Sequence, residues 1–277
     1  MFTTTKVLLQ LAEETNSAVA AFNCYNAETV QAAVRAGERA NKGVIIAYGE
    51  RYKEYMNLKA FAAFTKVVGE QAAIPVALHL DHSYELETIE QAIASGFSSV
   101  MYDGSALSFE ENVKTTKHVV SLAHSNGVYV EAEIGSMEKG DFSDEEEGDG
   151  RLTDPDEAAW FVKETNVDFL AASIGTVHGM YKGKPNLQHD LLAAIAKKID
   201  IPLVLHGGSG TPEDQIVKAI NLGIRKINVN TEVSLAAVTE MANALSEQPY
   251  IHLSNLMTTA QETMIEQMYK IIETFKG

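Results

Sequence analysis

The chain has 277 residues, of which 45% are hydrophobic and 22% charged, and a formal net charge of −16. That length accommodates one barrel-sized domain with a full core, and the composition is that of an ordinary globular protein. The acidity excludes nucleic acid and anionic membrane as partners, and any anionic small molecule must find a local positive site such as a metal or a helix N-terminus.

Met1 to Glu14 is amphipathic and carries Lys6, Glu13 and Glu14, without the apolar run and small-residue cleavage site of a signal peptide. Short apolar runs then alternate with amphipathic stretches. Candidate strands are Ala18–Phe22, Val44–Tyr48, Val76–Leu80, Ser99–Tyr102, Val128–Ile134, Phe169–Ser173, Leu203–His206 and Lys226–Val229. Their near-continuous hydrophobicity suits a parallel sheet covered on both faces. Candidate helices follow at Ala27–Ala40, Leu58–Gln71, Glu85–Ala94, Phe109–His124, Pro155–Thr165, Leu187–Lys198, Pro212–Leu222 and Glu232–Leu245. Thr153-Asp154-Pro155 and Thr211-Pro212-Glu213 each read as a cap before proline at the first helical position. Eight such units predict a single-domain (β/α)8 barrel over residues 1–277. The runner-up, an open doubly wound sheet, lacks a G-x-G-x-x-G after its first strand in dinucleotide-binding form. Gly135–Leu152 breaks the alternation: it is long, acidic and glycine-punctuated, and reads as a lid over the catalytic face. Cys24 is the sole cysteine, so no intrachain disulfide forms, which fits a cytoplasmic setting. No apolar run is long enough to cross a membrane.

Polar residues gather at the C-terminal ends of these strands, where barrel enzymes place their chemistry. They are Asn23, His79, Asp81, His82, Asp103, Glu131, Glu133, His178, His206, Asn228 and Asn230. His82, His178 and His206 follow three different strands at one face, and three converging imidazoles with an open fourth position make a catalytic zinc site. Beside them Asp81 has two readings, a proton shuttle or a partner that orients an imidazole. Gly207-Gly208-Ser209-Gly210 and Asn228-Val229-Asn230-Thr231 lie after strands 7 and 8, the usual phosphate seat of a barrel, where backbone N–H groups and a helix start meet an anion.

Taken in order, Ala21-Phe22-Asn23, His79-Leu80-Asp81-His82, Asp103-Gly104-Ser105, Glu131-Ala132-Glu133-Ile134-Gly135, Gly175-Thr176-Val177-His178-Gly179, Tyr181-Lys182-Gly183-Lys184-Pro185, the segment from Leu205 to Gly210 and that from Lys226 to Thr231 resemble the class II, metal-dependent fructose- and tagatose-bisphosphate aldolases. The resemblance implies one zinc per subunit on His82, His178 and His206, and Asp81 as proton donor to the aldehyde oxygen. It implies Asn23, Gly179, Gly207, Gly208, Ser209, Asn228, Val229, Asn230 and Thr231 around dihydroxyacetone phosphate (DHAP), with Lys182 at the phosphate or at a nearby monovalent cation. Asp103 and Glu133 are then supporting groups or an alternate metal site, and the enzyme is a homodimer or homotetramer.

Three departures concern the other end of the substrate. The family's loop motif is not intact after Gly135, leaving Glu138, Glu145, Glu146 and Glu147 as candidates for the loop base. Tyr48 stands where a small hydroxyl residue is frequent. The arginine expected after strand 8 is missing, since only Lys270 and Lys276 are basic beyond Lys226. The expectation is an aldehyde half with a neutral or differently charged tail, unless Arg51 or Lys53 replaces that arginine. Two competing functions are an isomerase or epimerase on the same metal and a catalytically silent sugar-phosphate binder.

Overall fold

The computed structural model describes residues 1–145 and 148–276. Its strands are β1 (Val19–Asn23), β2 (Val44–Gly49), β3 (Val76–Ser83), β4 (Ser99–Tyr102), β5 (Tyr129–Ile134), β6 (Glu138–Lys139), β7 (Phe169–Ala172), β8 (Val177–His178), β9 (Leu203–Leu205) and β10 (Ile224–Val229). Eight of them close into a parallel barrel in the order β1-β2-β3-β4-β5-β7-β9-β10, and β6 pairs with β8 as a separate short ribbon. The closed ring is the predicted (β/α)8 barrel and excludes the open sheet.

Each barrel strand is followed by a helix at the expected place. Asn26 opens Ala27–Ala40 through a reciprocal capping box with Thr29, and Asp154 caps Pro155–Thr165 by accepting from the N–H groups of Asp156 and Glu157. Pro212, expected as a first helical residue, instead precedes the helix Glu213–Asn221. Two further helices were not anticipated. Leu253–Thr274 lays Leu256, Ala260, Met264, Met268 and Ile271 inward and packs on the helix Ala27–Ala40. Thr5–Glu14 plugs the N-terminal mouth of the barrel, where Leu8, Leu9 and Ala12 meet Val19, Ala21, Ile45, Ala77, Phe169, Ala171 and Val204.

Side chains alternate across each strand, so residues two apart share the barrel lumen. The register gives the lumen layers. Ile45 pairs with Ala77 and Ala171 with Val204, which makes the lower layers apolar. Further up, Ala47 pairs with His79 and Gly49 with Asp81. Ala21 pairs with Asn228 and Glu133 with Ala171. The lumen therefore turns from aliphatic to ionisable along its axis, and the ionisable end is the one the βα loops surround.

Candidate active site

Asp81 and His82 are adjacent, so a regular strand would send them to opposite faces. The register of β3 on β4 slips between Leu80 and Ser83, and His82 takes a φ of 37°. This bulge brings both side chains to the lumen at a local backbone cost of about 1 kcal/mol. His178 arrives from β8, held by the ribbon in which it pairs with Lys139, and His206 follows β9.

Hydrogen bonds fix the imidazoles. Asp103 Oδ2 lies 2.7 Å from His82 Nδ1, and Glu131 Oε1 lies 2.7 Å from His206 Nε2. With those nitrogens bonded to carboxylates, His82 Nε2 and His206 Nδ1 face each other across 2.8 Å. Burial opposes a charge on His82, but Glu145, Asp81 and Asp103 outweigh it and hold the His82 pKa well above its ordinary value, so without a metal a proton bridges the two rings. His178 Nε2 is buried and has no hydrogen-bond partner. The three histidines offer donor atoms that lie within 4.8 Å of one another. A pair of ring nitrogens that already holds a proton between them and an orphaned third nitrogen fit a shared cation, and carboxylate-anchored imidazoles are the usual support for zinc. Burial, followed by His82 and His206, holds the pKa of His178 well below its ordinary value, so it is neutral and able to ligate. His82, Asp103 and Glu133 form a second cluster within the same spacing, and Glu133 Oε2 is also buried without a partner.

Asp81 accepts from the side-chain amides of Asn23 and Asn228, one on each oxygen at 2.8 Å. Burial opposes its charge, but His82, Lys226, His206 and His79 outweigh that and hold its pKa well below the usual carboxylate range. Asp81 is thus an ionised base. Of its two sequence readings, imidazole orientation falls to Asp103 and Glu131 instead. Beneath the histidines Lys226 Nζ lies 2.7 Å from Glu131 Oε2, both fully buried. Sequence reasoning placed Glu131 at a strand end but did not give it this partner. The signal was the spacing of Lys226 and Asn228, two apart and hence on one face.

A small cavity is lined by Asn23, Asp81, His82, Glu145, His178, Gly179, His206, Gly207, Ser209, Asn228, Asn230 and Thr231. Gly207 has a φ of +67°, and a Cβ there would lie 2.2 Å from the Val177 carbonyl oxygen, so only glycine lets the two loops touch. Ser209 Oγ accepts from the N–H groups of Asn230 and Glu232 at the start of the helix Thr231–Glu247. Gly208 and Val229 are buried behind the lining, and Lys182 is exposed in the turn after β8. Tyr48 does not face the site: its ring packs on Phe61, its hydroxyl donates to the Met56 carbonyl, and Gly49 ends the strand at the mouth. Contrary to the expectation from sequence, Tyr48 therefore does not line the cavity.

The acidic loop crosses the mouth. Glu145 lines the cavity, and its carboxylate is gripped by Arg51 at 2.5 and 2.7 Å. Asp144 reaches Tyr52 and Asn230. Of the loop-base candidates Glu138 is exposed and away from the cavity, while Glu146 and Glu147 lie outside the described residues. Only Glu145 among the described candidates is brought to the site. The cavity is about 20 Å³, room for a water molecule, so a substrate enters only when the loop shifts.

A (β/α)8 barrel that brings three imidazoles, an aspartate held by two amides and a glycine-containing turn into one cavity is what the fold and the site define. The chain belongs to the class-II fructose-bisphosphate aldolase family, whose model matches residues 3–277. It is 39% identical to a sulfofructosephosphate aldolase of Alkalicoccus urumqiensis over 274 residues, 98% of this chain and 95% of that protein. It is 41% identical to a 6-phospho-5-dehydro-2-deoxy-D-gluconate aldolase of Bacillus subtilis, across 96% of this chain and 94% of the relative. Among solved structures, the YdjI aldolase of Escherichia coli K12 superposes with a TM-score of 0.89 at 33% identity, covering 99% of this chain and 97% of that one. The protein is therefore a carbon–carbon lyase of the aldolase type. No helix among the described residues is long and apolar enough to cross a membrane.

Proposed function

We propose that the enzyme is a zinc-dependent aldolase that reversibly cleaves a ketose 1-phosphate or 1,6-bisphosphate to DHAP and an aldehyde. It does so in cytoplasmic carbohydrate metabolism, as a homodimer or homotetramer, with residues 1–277 forming one catalytic barrel. The observation that carries this reading is the juxtaposition of three histidine donor atoms with a doubly amide-held Asp81 in one cavity. A zinc ion on His82, His178 and His206 would supply Lewis-acid stabilisation of the charge that builds on the DHAP half.

The chain's own residues do the rest. Asp81, ionised and fixed by Asn23 and Asn228, takes the proton from the hydroxyl that becomes the aldehyde and returns it in condensation. Glu145, which lines the cavity, would exchange the proton at the carbon where the bond breaks. Backbone N–H groups of Gly179, Gly207, Ser209 and Thr231 receive the phosphate, helped by the positive end of the helix Thr231–Glu247. The substrate names of the two relatives each add a further acidic group, sulfo in one and gluconate in the other.

The test is a coupled assay for DHAP release over a panel of ketose mono- and bisphosphates, with and without a chelator. Chelator-sensitive DHAP release is the expected result. Isomerisation without release, or binding without turnover, would refute the assignment.

A further inference from the structure

Arg51 follows β2 in the turn Glu50–Tyr52, and its guanidinium folds back over the barrel mouth. The guanidinium packs directly over Gly49, where a Cβ would lie 2.7 Å from Arg51 Nη1. Tyr52 lies beneath the guanidinium, 4.6 Å from Arg51 Cζ to the ring centroid. Three donors from these fixed elements converge on one loop carboxylate. Tyr52 donates its hydroxyl to Asp144 Oδ2 at 2.7 Å, Asn230 donates its amide to Asp144 Oδ1 at 3.0 Å, and Arg51 Nε lies 3.3 Å from Asp144 Oδ2. Arg51 Nε is buried yet has no well-formed hydrogen bond. Asp144 itself is about half exposed, with its side chain at 47%. A second cavity of about 380 Å³ opens beside this cluster, lined by Tyr25, Tyr52, Tyr55, Phe142, Asp144 and Asn230 among others, and it shares Asn230 and Thr231 with the catalytic cavity. By contrast Lys53, the other cation of this turn, is spent on Glu50 and Glu85.

We propose that Arg51, the Tyr52 hydroxyl and the Asn230 amide form a receptor for a terminal oxyanion on the aldehyde half of the substrate, and that Asp144 and Glu145 occupy it until that anion displaces them. The inference rests on the aldolase reading and names the substrate class it left open. A planar guanidinium with flanking neutral donors matches a carboxylate, sulfonate or phosphate terminus, and among the described residues the carboxylates paired with Arg51 come from the loop. Displacing the loop carboxylates also releases Glu145 from Arg51. This makes Arg51 a specificity-determining residue.

The experiment is aldol condensation of DHAP with four short aldehydes that differ only at the far end: phosphate, sulfonate, carboxylate or hydroxymethyl. In the native enzyme kcat/KM for at least one anionic aldehyde should exceed that for the uncharged one by about 30-fold or more, the scale of a charge-assisted hydrogen-bond pair. Arg51→Gln should bring that ratio near one, and Arg51→Lys should restore part of it. Asp144→Ala, which removes the competing carboxylate, should lower KM for the preferred anionic aldehyde and not for the uncharged one. The preferred terminus identifies which of the three anions is the partner. A native ratio near one, or a ratio that Arg51→Gln leaves within two-fold, would overturn the proposal. Calorimetric binding of 2,3-dihydroxypropane-1-sulfonate in the presence of DHAP tests the receptor without turnover, and Arg51→Gln should weaken it at least ten-fold. Absence of DHAP release from every ketose phosphate would instead sink the aldolase reading, with the binding result still deciding the receptor.

Discussion

Lys226→Met tests whether the ion pair under the histidines supports both the fold and the metal. Lys226 Nζ and Glu131 Oε2 are 2.7 Å apart and wholly inaccessible to solvent. Burial opposes the charge on Glu131, yet Lys226, then His206 and His79, bring its pKa from 4.5 down to about 2. A displacement of that size corresponds to about 3 kcal/mol. The figure agrees with the ~3–5 kcal/mol cost of removing one partner from a buried pair. Because the folded pKa is depressed, this stability is present above about pH 4.5 and is lost as pH falls toward 2. Without Lys226, Glu131 is left charged and unpaired or takes up a proton, and either state alters its bond to His206 Nε2. The expected outcome is a loss of about 3 kcal/mol in urea unfolding of the metal-free protein at pH 7, and a ~10–100-fold loss of zinc affinity. Lys226→Met combined with Glu131→Gln should recover most of the stability, since the amide oxygen still accepts from His206 and no charge remains. Single-variant stability within about 0.5 kcal/mol of native, or a double variant no better than the single, would refute the reasoning.

Alanine at His82, His178 or His206 should remove most bound zinc and the activity while far-ultraviolet circular dichroism keeps the barrel signature, and full zinc retention in all three would defeat the ligand set. Asp81→Asn should keep zinc and DHAP binding but slow cleavage by roughly 100-fold or more, and near-native cleavage would leave Asp81 without a proton to move. Glu145→Gln should suppress deuterium exchange into DHAP more than it weakens DHAP binding, and undiminished exchange would place the base elsewhere.

The barrel was legible because its signals are local: eight apolar runs, each with a following amphipathic stretch. The site was legible because barrel topology sends every strand's C-terminal end to one face, so His82, His178 and His206 could be brought together from strand order alone. What remained hidden depends on distance in sequence. The partners Lys226 and Glu131 are 95 residues apart, and Arg51 and Glu145 are 94. The bulge that turns both Asp81 and His82 inward is a matter of register between strands, which no pattern within one strand reveals. Tyr48 misled for a related reason: strand parity, not position near the strand end, sends it outward to Phe61 and Gly49 to the mouth. The helix Leu253–Thr274 carries an apolar stripe legible in retrospect, but its partner, Ala27–Ala40, lies at the other end of the chain.

The polar filling of the upper lumen links these observations. An apolar lumen would pack as well and avoid the cost of buried charge. Here Thr5 Oγ1, in the plugging helix, lies 2.6 Å from Ser99 Oγ, which lies 2.8 Å from His79 Nδ1. His79 Nε2 then faces Glu131 Oε2 at 3.4 Å, and Glu131 holds His206. His79 stays neutral, its pKa pushed down to about 3 by burial and then by Lys226. The chain of contacts therefore carries one net anion, Glu131, against one cation, Lys226, and delivers the remaining acceptor to His206. Two carboxylates fix two imidazole rings, Glu131 that of His206 and Asp103 that of His82, while Asp81 is held by neutral amides. Under the proposed function, the buried polar groups would separate the carboxylates that orient metal ligands from the one that moves a proton.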